Sequence, residues 1–110
     1  MKLENIIDEL SLDVKTCREG LRNEVKGVYV SDLLSDVMAN SKEGDIWITL
    51  QTHLNIVAVA GLKNLAAIII VNNRQPQEEI LQKAEAEKVT IMTTPLPAFE
   101  AAGRLYQLLK

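Results

Sequence analysis

Four short polar clusters hold the residues of this chain that could do chemistry: Ser31-Asp32, Gln51-Thr52-His53, Asn72-Asn73-Arg74 and Thr93-Thr94. Their hydroxyls, amides, imidazole and guanidinium suit hydrogen bonding to an anion or a nucleotide-like ligand beside helix N-termini. Acid/base chemistry would fall to His53, the one histidine, because no other side chain titrates near neutrality unperturbed. The sequence identifies no carboxylate to orient it, so catalysis ranks below binding. Taken singly, Ser31, Asp32, Thr52, Thr93 and Thr94 also read as helix caps. Only their convergence on one edge of a fold would make a site.

Other chemistries are poorly supported. Asp32, Asp36 and Asp45 have no EF-hand or other metal-ligand spacing. The five glycines, at 20, 27, 44, 61 and 103, match neither the Walker pattern nor GxGxxG, so no phosphate loop is present. Cys17 is alone, which excludes an internal disulfide and a cysteine zinc site; it reads as an inert or part-buried thiol. Trp47 has no aromatic or basic neighbours to form a base-stacking platform and reads as core. No metal and no cofactor is expected.

The elements that must position the polar clusters are legible from residue type and period. Asp45 to Leu50, with Ile46, Trp47, Ile48 and Thr49, reads as a strand. Ala66 to Val71 contains four β-branched apolar residues in a row, the mark of a strand covered on both faces in a parallel sheet. Between them lies a helix with Leu54, Val57, Ala58, Gly61 and Leu62 as its apolar positions, capped by Gln51 or Thr52. Strand, helix and strand make a βαβ crossover.

Toward the N-terminus, Leu3, Ile6, Ile7 and Leu10 have the spacing of a short amphipathic helix, and Leu12 to Thr16 reads as a strand. Arg18-Glu19-Gly20 predicts a turn with Gly20 at positive φ. Val25 to Val30 is a strand ending at Ser31-Asp32, which caps a helix with Leu33, Leu34, Val37 and Met38 on one face. After the crossover, Pro76 is placed in the first turn of a helix burying Ile80, Leu81 and Ala84, followed by a strand over Val89 to Met92. Pro97 opens a last helix with the apolar face Phe99, Ala102, Leu105, Tyr106 and Leu109. The pattern predicts an α/β three-layer sandwich, a mainly parallel sheet flanked by helices, as one domain over residues 1–110. All four polar clusters then fall at carboxyl ends of strands, where open parallel sheets bind ligands.

Composition narrows the class further. Hydrophobic residues at 47% and charged residues at 25% are ordinary for a globular chain. The net charge of −3 comes without a basic run, which argues against nucleic acid as a partner. The N-terminal MKLENIIDELSLD carries four acidic residues and no apolar core, so it is not read as a signal peptide. The longest uncharged apolar run, Leu54 to Leu62, falls far short of the about 20 residues that span a bilayer. A soluble cytoplasmic protein with no membrane partner is the expectation.

In this order the motifs resemble the DRTGG domain family over nearly the whole chain. The resemblance rests on Val30-Ser31-Asp32 before a helix, Gly44-Asp45 opening a strand, Ala66 to Val71 followed by Arg74-x-Pro76, and Thr93-Thr94-Pro95 before the last helix. The family pattern has Gly-Asp-Arg at the strand entrance and Thr-Gly-Gly at the next strand's exit. Here those positions read Gly44-Asp45-Ile46 and Val71-Asn72-Asn73. Asparagine tolerates left-handed backbone, so Asn72-Asn73 can keep the turn's shape while adding side chains.

The resemblance implies an accessory α/β domain like the one at the N-terminus of HPr kinase/phosphorylase and beside CBS domains, used for regulation or ligand sensing. The kinase activity belongs to a phosphate-loop domain that this chain lacks. The first functional expectation is a stand-alone, non-enzymatic regulatory domain binding a small anionic or nucleotide-like ligand at the strand ends. The alternative is an interaction module, a homodimer or a subunit docking on a metabolic or redox enzyme through a helix face and the tail Tyr106 to Lys110. A small enzyme using His53 is the last.

Overall fold

The computed structural model describes residues 1–110. Five strands form one sheet: β1 Asp13–Val14, β2 Gly27–Val30, β3 Asp45–Thr49, β4 Ala67–Ile70 and β5 Ile91–Thr93. Their spatial order is β1-β5-β4-β3-β2, with β2 through β5 parallel and only β1 antiparallel. Four α-helices follow the parallel strands: α1 Leu34–Asn40, α2 Asn55–Lys63, α3 Glu78–Ala86 and α4 Ala98–Leu109. The expected three-layer α/β sandwich is therefore the fold.

Period-2 alternation on the strands divides the interior into two cores. Trp47, Ile68, Ile70 and Ile91 face α1, α2 and α3, meeting Val37, Ile56, Val57, Ile80 and Ala84. Ile46, Ile48, Ile69 and Met92 face the other way, toward Ala101 and Leu105 of α4 and the N-terminal Leu3, Ile6 and Leu10. Every residue of β3 and β4 is buried, as the uninterrupted β-branched run predicts. Trp47 is fully buried, and its indole Nε1 donates to the Ser31 carbonyl at 2.8 Å, which satisfies its one polar atom.

The parallel strands run through the sheet in chain order, so successive crossovers of one hand put α1, α2 and α3 on a single face. The strand order never reverses among them. A ligand cleft at their carboxyl ends must therefore form between adjacent helix starts, not at a reversal point.

Several local expectations are corrected. Leu3–Ile6 is a 3-10 helix continuing as turns, while Leu3, Ile6 and Leu10 are fully buried as their spacing requires. Arg18–Arg22 is also 3-10, and the left-handed residue before it is Cys17 (φ 51), not Gly20. Gly20 is needed for space instead: a Cβ there would collide with the Thr90 hydroxyl, which donates to the Cys17 carbonyl. Cys17 itself is buried.

Pro76 lies before the Gln77 N-cap of α3, not in its first turn, and Leu33 and Leu54, not the polar residues before them, are the N-cap positions of α1 and α2. The inward face of α2 is Ile56, Val57, Val59 and Ala60; Ala58, Gly61 and Leu62 point to solvent. Of the α1 stripe only Val37 is buried. In α4 the sheet takes Ala101 and Leu105, while Phe99 is 92% and Tyr106 68% exposed. These helices are apolar on more than one side, so period alone does not choose the buried stripe.

Candidate ligand-binding cleft at the strand ends

The β3–α2 connection, Leu50 to Leu54, stands between two others at the same edge of the sheet. On one side is Asp32 after β2, and on the other Arg74 to Gln77 before α3. Together they enclose an open cleft of about 610 Å³ at the carboxyl ends of β2, β3 and β4. Its polar lining includes Asp32, Gln51, Thr52, His53, Arg74 and Glu79, and its apolar floor is Leu50, Leu54 and Ile80.

Asp32 sets the shape of this cleft. Its carboxylate Oδ1 accepts from the Thr49 hydroxyl and from the Leu50 amide, each at 2.7 Å. Its backbone carbonyl accepts from Gln51 Nε2 at 3.0 Å. Two adjacent loops are thus clamped through one residue, and neither Ser31 nor Asp32 caps α1, although the Ser31 Oγ accepts from the amide of its N-cap residue Leu33 at 3.2 Å. His53 Nδ1 accepts from the Asn55 amide at 3.1 Å, so the imidazole closes the first turn of α2 and leaves Nε2 for other partners.

Arg74 brings an unpaired positive charge to this cleft. It is exposed, and none of the chain's five ion pairs includes it. Gln77 caps α3 with backbone geometry only, and the amides of Glu78 and Glu79 have no acceptor within the chain. A guanidinium and a helix start with open donors therefore border one cleft, which suits an acceptor-rich ligand. No three His, Cys, Asp or Glu side chains stand together as a metal site.

Of the nine residues expected to form the site, Asp32, Thr52, His53 and Arg74 line the cleft. Ser31, Asn72, Asn73, Thr93 and Thr94 lie outside its lining. Asn72 and Asn73 are exposed in left-handed conformation (φ 59 and 55), and their amides donate to the Leu96 and Thr94 carbonyls. Thr93 and Thr94 are buried; the Thr94 hydroxyl donates to the Leu10 carbonyl at 2.6 Å and ties the N-terminal segment to the sheet. Gln77 and Glu79 were not anticipated. The signal for them was Pro76, because a helix starting just past a strand exit presents its first turn at the same edge.

Residues 5–108 match the DRTGG domain family. This chain belongs to that family. Among solved structures, this DRTGG domain is similar to the CBS and DRTGG domains of the regulatory region of Clostridium perfringens pyrophosphatase, complexed with its activator diadenosine tetraphosphate. The TM-score is 0.76 at 28% identity, covering 94% of this chain and 45% of that one. No curated protein matches.

The two signature departures have physical counterparts in this DRTGG domain. Ile46, at the position of the family's arginine, is fully buried in the core beneath α4. The Asn72-Asn73 pair keeps two successive left-handed residues in the turn where the family has glycines. Gly44 retains positive φ (85), and the Asp45 carboxylate beyond it accepts from the Lys42 amide at 2.8 Å.

A second polar cluster lies at the β2–α1 junction. The Tyr29 hydroxyl lies 2.8 and 2.9 Å from the two Asp36 oxygens, and Asn40 Nδ2 donates to Asp36 at 2.8 Å. The Ser31 hydroxyl, then Tyr29 and Asn40, hold the Asp36 carboxyl below the ordinary carboxylate range, while the same bond pushes the Tyr29 phenol up. A depressed folded-state carboxyl stabilises above its unfolded pKa, and that contribution is lost as pH falls through the folded value. Tyr29→Phe is expected to move the Asp36 titration midpoint up toward the ordinary value, read by NMR of the carboxyl carbon. An unmoved midpoint would leave the phenol without a role there.

Proposed function

We propose that this DRTGG domain is a non-enzymatic regulatory domain that senses a small anionic, nucleotide-like ligand in the cleft between the β3–α2 and β4–α3 connections. The observation that carries the reading is the unpaired Arg74 guanidinium beside the open first-turn amides of α3. The cleft volume falls within the range of about 300–1,000 Å³ typical of small-molecule sites. Phosphate oxygens would be received by Arg74 and the Glu78 and Glu79 amides, and the apolar floor of Leu50, Leu54 and Ile80 would take a base or sugar face. Asp32 and Glu79 add acceptors for ribose hydroxyls and disfavour a bare polyanion.

The relation to a nucleotide-activated regulatory region supports the ligand class. His53 has no orienting carboxylate among its hydrogen-bond partners, which favours a binding role over acid/base work. The aqueous setting of a cytoplasmic sensor is part of the same proposal; no helix is long and apolar enough to cross a membrane.

The test is a thermal-shift series with AMP, ATP and diadenosine tetraphosphate on the wild type and on Arg74→Ala. A ligand at 100 times its Kd stabilises by about 2.7 kcal/mol. Because Arg74 is exposed and makes no internal ion pair, Arg74→Ala is expected to leave the apo melting temperature in place and to remove most of the ligand shift. A shift of equal size in both proteins would place the ligand elsewhere.

A further inference from the structure

We infer that the cleft beside Arg74 takes a nucleoside monophosphate in preference to a triphosphate, and that Glu79 sets this limit. The inference rests on the reading of the cleft as a nucleotide site and concerns which nucleotide it admits. Among the ten lining residues Arg74 is the one fixed cation, whereas Asp32 and Glu79 are both carboxylates. The lining therefore holds one negative charge in excess. Polyphosphate sites have the opposite balance, with lysine, arginine or a metal ion set around the phosphate chain.

The two carboxylates are held differently. Asp32 engages its Oδ1 with the Thr49 hydroxyl and the Leu50 amide, which fixes its charge against the β3–α2 connection. Glu79 is exposed and takes part in none of the chain's five ion pairs. Arg74 and Glu79 thus border one cavity with opposite charges that do not pair with each other, and the space between them is open.

Glu79 also stands in the first turn of α3, where the Glu78 and Glu79 amides have no acceptor within the chain. One phosphate can be met there by the two amides and the guanidinium. A second and a third add charge that no further cation in the lining can meet, and they bring it toward the Glu79 carboxylate. In an open, solvated cleft a close like-charge contact weakens binding by about fivefold to tenfold. A ribose face meets no such penalty, because carboxylates accept from its hydroxyls.

The test is a pair of Kd values, for AMP and for ATP with divalent metal chelated, measured by amide NMR on the wild type and on Glu79→Gln. Chelation leaves each phosphate its own charge, and glutamine keeps an acceptor oxygen while removing the carboxylate's charge. Wild type is expected to bind AMP about tenfold more tightly than ATP, with the ratio falling as salt is raised. Glu79→Gln, a change at an exposed side chain, is expected to leave the apo melting temperature in place and to tighten ATP several-fold more than AMP. Saturable shifts at Leu50 to Leu54 and Arg74 to Ile80 with equal affinity for both nucleotides would overturn the inference and leave the reading of the cleft standing. A ratio that Glu79→Gln does not move, or one that persists at high salt as a limit of size would, overturns it as well. If neither nucleotide shifts those amides, the reading of the cleft falls and the monophosphate preference with it.

Discussion

Trp47→Ala is expected to cost about 3–5 kcal/mol, the range for deleting a fully buried aromatic side chain. Trp47 occupies the middle of β3 with no exposed surface and packs among Val37, Ile56, Ile68 and the other residues between sheet and helices. Truncation removes that packing, leaves a cavity and orphans the Ser31 carbonyl that accepts the indole proton. Domains of this size are stable by about 5–15 kcal/mol, so the variant loses a large share of the total. The melting temperature followed by far-ultraviolet circular dichroism should fall by on the order of 15 °C or more. A fall of only a few degrees would mean that the α1–α3 face collapses readily around the lost ring.

The second large effect lies at the cleft. Asp32→Ala removes the acceptor shared by the Thr49 hydroxyl and the Leu50 amide, and Thr49 is buried. Hydrogen bonds to a charged group contribute about 1.5–3 kcal/mol each when sheltered, and solvent at the exposed carboxylate reduces that. A net loss of about 1–2 kcal/mol is expected. The more informative change is local: amides of Leu50 to Leu54 should exchange faster while those of β3 and β4 keep their protection. Asp32→Asn, which keeps one acceptor oxygen, should fall between wild type and alanine. If alanine left exchange at Leu50 to Leu54 unchanged, the clamp between the two loops would be dispensable.

The order of strands and helices was legible because this sheet is parallel and covered on both faces. Ile68, Ile69, Ile70 and Val71 announce such a strand without help from their neighbours, and all are buried. The polar clusters at the strand ends were legible for the same reason, since a parallel sheet collects its strand exits on one edge. Which of them share a cleft was not. Thr93 and Thr94 belong to β5 and the turn after it, where the antiparallel β1 and the N-terminal segment cover that end, and a covered threonine has the same sequence signature as an open one. Helix faces failed where helices are apolar on two sides, as α2 and α4 are, because only the sheet decides which side it takes. The period of α4 marks Phe99, Ala102, Leu105, Tyr106 and Leu109 as one inward face, although only Leu105 of them is fully buried and Phe99 and Tyr106 face solvent.

The glycine positions show a similar division. Gly44 takes left-handed backbone at the entrance to β3, as its place in the signature implies. Gly20 and Gly27 have a different reason, the closeness of Thr90 and of the Asp45 carboxylate to the space a Cβ would fill. Contacts of that kind join residues far apart in the chain, so no local pattern announces them.

The central claim is that the cleft beside Arg74 receives a nucleotide-like ligand. Its most direct test is a titration of the isotope-labelled chain with ATP, followed by amide NMR. Saturable shifts concentrated at Leu50 to Leu54 and Arg74 to Ile80, and lost in Arg74→Ala, are the predicted result. Shifts confined to β2 and α4, or none at millimolar nucleotide, would contradict it.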